Sequence, residues 1–159
     1  MSTSTRTLLL SIAVLVLTVV HHLYGAAIHA TPWRHHVALV AMPVLLVLIL
    51  AHGVHRWRLS TALGRSSLWL FIVVVALIPV AAIGIFEGGY NHLAKNVLFF
   101  GGAPRGTFER LFPPPVYEAP SDPWFEATGL LQLVLGLLAA RSLLRLLRER
   151  RDEGRFPGR

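Results

Sequence analysis

Residues 8–29 read "LLLSIAVLVLTVVHHLYGAAIH". From Leu8 to Val20 every side chain is apolar except Ser11 and Thr18, and His21, His22 and His29 follow at once. Wound as a helix rising about 1.5 Å per residue, the segment from about 7 to 30 is long enough to cross the roughly 30 Å of hydrocarbon in a bilayer. Imidazole is a poor guest there, so an ionisable group inside such a span is expected to face its neighbours and to have a partner. The stretch therefore sets the class, a membrane-spanning helix. It also raises the question of what its histidines meet.

Three further apolar stretches follow, at about 36–55, 67–86 and 127–147. None alternates with the period of a strand. Pro43 and Pro79 lie inside the second and third, where bundle neighbours can satisfy the freed carbonyl. Of the 159 residues 54% are hydrophobic and 14% charged, too few charges to cover a soluble domain of this size. The sequence predicts an all-α fold, an integral membrane four-helix transmembrane bundle. Residues 1–159 form a single domain, with a long structured extracytoplasmic loop at 88–123 and a basic cytoplasmic tail at 148–159. A secretory leader cleaved near Ala27 or Ala30 is the rival reading of the first span. Its apolar run is long for a leader, and the span is retained.

The net charge of +7 comes from 15 basic against 8 acidic residues. The excess sits beside apolar spans, which points to topology and anionic headgroups rather than to nucleic acid. With four spans both termini share one side. That side collects Arg6, Arg56, Arg58, Arg65 and the arginines from Arg141 to Arg159, whereas the other holds Arg34, Lys95, Arg105 and Arg110. The richer side is expected to be cytoplasmic, in a membrane of the bacterial inner type. Arg141, Arg145 and Arg148 lie near one face of the last helix with leucines opposite, the pattern of a helix end snorkelling to headgroups.

With that orientation His21 and His22 fall in the outer third of the first span and His29 near its outer end. His35 and His36 open the second span on the same side, and His92 follows the third. His22 and His29, seven apart, share a helix face, while His21 points about 100° away. Tyr24 accompanies them. The stretch "FEGGYNHLAKN" (86–96) delivers Glu87, Tyr90, Asn91 and His92 to the same level, with Gly88 and Gly89 offering a sharp turn. The candidate metal ligands are His22, His29, His36, Glu87 and His92, with His21, Tyr24, Tyr90 and Asn91 as supporting polar groups. Imidazoles with one carboxylate suit zinc, iron or copper. Cysteine is absent, which excludes thiolate ligands and disulfides. A plainer reading makes these ordinary interfacial residues, with Glu87 paired to Lys95 or Arg34 and His21 or His22 bonded to a carbonyl or Gln132. His52 and His55, beside Arg56 and Arg58, read as a basic helix end.

The histidine groupings do not fit the HxxxH and HxxHH boxes of the membrane desaturases and hydroxylases. Haem b held within one chain is disfavoured, since His21 and His22 find no second histidine at matching depth, although a homodimer could pair His22 with its mate. HExxH, P-loop and GxSxG motifs are absent. Gly129 and Gly136, seven apart around Gln132, mark a packing face. In the long loop, "HLAKNVLFFGG" predicts a short surface helix and "APRGTFERLF" a second helical turn. "PPP" at 113–115 predicts extended polyproline, and "SDPWFEA" a turn opening the last helix; the loop is apolar enough to fold back as a lid. The function expected is that of a binding or accessory membrane protein whose outer histidine–glutamate cluster holds a transition metal or a small polar ligand. A small membrane metalloenzyme using the same cluster is one alternative, and a ligand-free structural subunit of a membrane complex another. The partners expected are the lipid bilayer and a further copy of the chain or a larger membrane complex.

Overall fold

The computed structural model describes residues 1–155. The elements are α1 (Thr3–Ile28), a single 3-10 segment (Pro32–His35), α2 (His36–Trp57), α3 (Ala62–Val75), a π-helical stretch (Ala76–Ala94), α4 (Lys95–Phe100), α5 (Arg105–Leu111) and α6 (Pro123–Arg155). No strand occurs among the described residues. α3, the π-helical stretch and α4 run on as one helix. Four helices are long and apolar enough to cross a membrane: Thr3–Ile28, Pro32–Trp57, Ala62–Phe100 and Pro123–Asp152. Residues 156–159 of the expected basic tail, with Arg159, lie outside the described residues.

α1 shows what holds the bundle together. Its start is capped by Ser2, whose hydroxyl accepts from the Thr5 N–H. Its buried residues include Ser4, Thr7, Ser11, Val14, Thr18, His21 and Gly25, a stripe at alternating spacings of three and four. The stripe is mostly small or hydroxylated, while Leu9, Val16 and Val20 are exposed on the outer face. Small residues let neighbouring backbones approach, and the hydroxyls find partners within the bundle. Thr7 and Ser142 hydroxyls lie 2.8 Å apart, and Ser11 donates to the Thr7 carbonyl at 2.8 Å. The stripe packs antiparallel along α6, from Thr7 against Ser142 at one end to His21 against Thr128 at the other. Leu48, Phe71, Val75 and Leu146 complete an apolar core towards the end that carries both termini.

α6 packs as closely against the π-helical stretch. Gly84 and Gly136 meet backbone to backbone, and Gly88 lies on the backbone of Leu133. A methyl group added at either Gly84 or Gly136 would overlap the other's Cα. Gly136→Val should therefore lower the melting temperature in detergent, with an overpacking cost of about 1–3 kcal/mol. An unchanged melting temperature would show that this contact is slack.

The connection between the third and fourth long helices differs from the expectation. Gly88 and Gly89 do not turn the chain, and the third long helix continues to Phe100. The glycine at 88 serves a close approach, not a bend. The stretch expected as a surface helix is thus the outer end of that long helix, closed where Gly102 takes a φ of 74° and its N–H bonds the Phe99 carbonyl. The connection shrinks to residues 101–122. The expected second helical turn is α5. Residues 113–117 form a turn, with Pro114–Pro115 cis and the Tyr117 N–H donating to the Pro113 carbonyl at 3.2 Å, instead of extended polyproline. α6 starts earlier than expected because Asp122 accepts from the Phe125 N–H at 2.8 Å and Pro123 takes the first helical position.

Candidate metal centre

Three helices bring His21, His22, Glu87 and His92 together. α1 supplies the adjacent pair and the π-helical stretch supplies Glu87 and His92. The i→i+5 bonding of a π-helix places residues five apart nearly above one another, so Glu87 and His92 share a face that α-helical winding would have split. α6 closes the third side. Its Gly129 leaves the space that the His92 ring fills.

The imidazoles are oriented by their Nδ1 atoms. His22 Nδ1 lies 2.9 Å from the Thr18 carbonyl, which can only accept, so this nitrogen carries the proton. His92 Nδ1 lies 2.8 Å from Glu126 Oε2, and the carboxylate likewise accepts. His21 Nδ1 lies 2.9 Å from the Thr128 hydroxyl, whose oxygen also lies 2.8 and 3.0 Å from the Trp124 and Phe125 carbonyls and so can accept from the ring while donating to one of them. As neutral rings donating through Nδ1, all three imidazoles would present Nε2 lone pairs to the centre.

Those lone pairs converge. His21, His22 and His92 Nε2 lie 3.9, 3.7 and 3.7 Å from Glu87 Oε1. His21 and His92 Nε2 are 3.1 Å from each other. Two nitrogens each about 2.1 Å from one ion stand ~3.0 to ~3.4 Å apart for angles between ~90° and ~109°. The group His21, His22 and Glu87 could hold a metal ion, each residue offering one ligand atom within 4.8 Å of the others.

A second layer fixes the first. Glu126 accepts from His92, from Lys95 Nζ at 3.0 Å and from Asn96 Nδ2 at 2.6 Å. This is the carboxylate–histidine arrangement that orients metal-ligating imidazoles. Asn91 donates to Glu87 Oε2 at 2.6 Å and so leaves Oε1 for the histidines. Phe125 stacks on His21 at 4.2 Å and sets its edge towards His92 at 5.2 Å, shielding the buried side.

The opposite side is open. A cavity of about 170 Å³ is lined by His22, Glu87 and His92 on its floor and by Arg34, Tyr117 and Glu118 above. Arg34 is buried, lies over the Phe125 ring and donates to Glu118. The loop that carries Glu118 is thereby tied over the cavity. Burial, with Tyr90 and Glu87 nearby, holds the Tyr117 phenol above its ordinary range, so it stays protonated. Arg34→Ala should free this loop and speed its cleavage by added protease around residues 113–120. Equal cleavage rates in both proteins would show that the ion pair does not hold it.

The remaining expected residues lie elsewhere. His29 packs against the edge of Phe125, with ring centroids 5.0 Å apart, and its buried Nε2 has no partner among the described residues. His36 is exposed, stacks on Trp33 and donates to the Trp33 carbonyl. Neither joins the cluster as the seven-residue spacing and shared level had implied, because the buried stripe of α1 runs through His21. That residue, expected only to support the site, stands at its centre. Tyr24 bonds Asp122 and Tyr90 bonds the Leu111 carbonyl, so of the supporting set His21 and Asn91 reach Glu87. Glu87 pairs with neither Lys95 nor Arg34, since Lys95 holds Glu126 and Arg34 holds Glu118. Gln132 is fully buried with neither polar atom bonded among the described residues. Glu126 and Thr128 were not foreseen, and Lys95 was expected to pair with Glu87 rather than Glu126. The capping signature Asp122–Pro123 places Glu126 and Thr128 inside the helix.

The chain matches no family model, and neither the curated proteins nor the solved structures include a match to it.

Proposed function

We propose that this is an integral membrane protein that binds one divalent transition metal ion, zinc or iron, through His21, His22 and His92 Nε2 and the Glu87 carboxylate. The observation that carries this reading is that all three Nδ1 atoms are spent on acceptors, so three lone pairs face one carboxylate oxygen. Lone pairs 3.1 Å apart repel unless a cation lies between them. An N3O donor set suits zinc and iron. The open side towards the cavity resembles metal sites that keep a position for water or substrate, which favours a ligand-exchanging centre over a purely structural one.

The membrane reading is supported by apolar residues exposed on all four long helices, such as Val16, Leu39, Val73 and Leu137. Trp33 and Trp124 stand exposed at the outer level, and Trp57 at the other end. The arginine distribution supports cytoplasmic termini and a metal centre in the outer half of the bundle. The cysteine-free chain allows a direct check. Gly106→Cys should react with an impermeant maleimide from outside intact cells, and Ser60→Cys only after lysis. The reverse pattern would invert the topology.

Metal analysis of the purified full-length chain tests the centre itself, with about one equivalent of zinc or iron expected. His21→Ala and His92→Ala should each lose it, whereas His29→Ala and His36→Ala should keep it. A second reading rests on the same 3.1 Å contact: one proton shared between His21 and His92, making an imidazolium flanked by Glu87 and Glu126. A folded, metal-free protein that gains no stability from added zinc or iron would favour the proton and overturn the metal.

A further inference from the structure

A second opening leads to the centre from the lipid side. α2 packs along α3 and α1 but parts from the π-helical stretch. The gap is a groove of about 240 Å³ whose walls include Leu15, Val40, Ala41, Val44, Ile78 and Ala82. It runs from the level of Leu15 to that of His22, about 10 Å along α1 at the ordinary helical rise. Its polar end is His22 and Glu87, with His36 at the rim. His22, His36, Val37 and Glu87 line both this groove and the outer cavity, so the cluster sits where the two meet.

The charges around the junction say what the polar end of an occupant should be. Arg34 and Lys95 stand against Glu87, Glu118 and Glu126, two positive and three negative groups. A bound divalent ion would reverse the sign and leave one positive charge for an anionic oxygen ligand to neutralise. The groove itself offers no charge and little polarity below His22.

We propose that the groove takes the hydrocarbon tail of a fatty acid that enters from the bilayer between α2 and the π-helical stretch, its carboxylate binding the ion held by His21, His22, His92 and Glu87. This rests on the metal reading above. Burial of the tail supplies the affinity, and the carboxylate–ion contact fixes the register. A groove of this size at the cluster fits a single chain.

The test uses the full-length chain in phosphatidylcholine nanodiscs and a palmitate analogue carrying a diazirine in its tail. Metal-loaded protein should be labelled saturably on the groove walls, at residues such as Ala41, Val44 and Ile78, with unlabelled palmitate competing. Ala82→Phe fills the lipid-side mouth at an exposed position and contacts no ligand. It should keep its metal while labelling falls about tenfold, the worth of one charged contact or a few buried methylenes. Chelation should reduce labelling by a similar factor. Labelling spread over all lipid-facing helices, insensitivity to Ala82→Phe, or equal labelling by a diazirine phosphatidylcholine would overturn the proposal while metal content stayed normal. Saturable labelling that survives chelation unchanged would overturn the carboxylate–ion contact. Absence of metal from the wild type is a failure of the metal reading and is scored separately by the metal assay.

Discussion

Gly129→Val is expected to abolish the proposed metal binding without altering a single proposed ligand. A Cβ at this position would run into three atoms of the His92 ring. The ring must then leave, and with it the contacts to His21 Nε2 and to Glu126. Metal content should fall to the level of His92→Ala. The melting temperature should drop by the equivalent of about 1–3 kcal/mol of overpacking, with a further loss from the unpaired Glu126. Gly129→Ala should move both readouts the same way by less. Full metal occupancy in the valine variant would mean that His92 is not a ligand.

Removing Glu126 should have the largest effect on stability. Its carboxylate gathers His92, Lys95 and Asn96, and Lys95 is only 3% exposed. Glu126→Ala strands an ammonium group inside the bundle, and breaking a buried pair in this way costs about 3–5 kcal/mol. It also frees the His92 ring to rotate and to change tautomer. Loss of such a supporting carboxylate typically weakens metal binding about 10–100-fold. Glu126→Gln separates the two effects. It keeps the volume and one acceptor, so more of the fold should survive, yet it removes the charge that would make His92 a stronger ligand for the proposed ion. A titration with zinc alongside thermal unfolding checks both variants. Unchanged zinc affinity in Glu126→Gln would remove the second layer from the account.

Much of the architecture was legible because it depends on length and composition. Blocks of apolar residues long enough to cross hydrocarbon can hardly be anything but helices, and their number and rough positions followed from that alone. The site was legible only in outline. His22, Glu87, His92 and Asn91 come together as a group of polar residues at one level would suggest, but His29 and His36 stay apart and His21 takes the central place. A usable signal for His21 existed in its alignment with Ser4, Thr7, Ser11, Thr18 and Gly25. In an apolar surrounding it is the small and hydroxylated stripe that turns inward, and that stripe names the histidine with it.

Four long apolar helices, the end that carries the excess arginine, and polar chemistry gathered near the opposite end all follow from the amino-acid order alone. These are sums over many residues, and sums survive small errors of phase. Which imidazoles meet is set by helix packing. That depends on the rotation of each helix about its axis, which a helix apolar on nearly all sides does not encode in its hydrophobic pattern. It depends too on the π winding that stacks Glu87 beneath His92, and on a glycine in α6 that makes room for the ring. A shift of one residue in any of these would have pointed the same side chains away from the bundle.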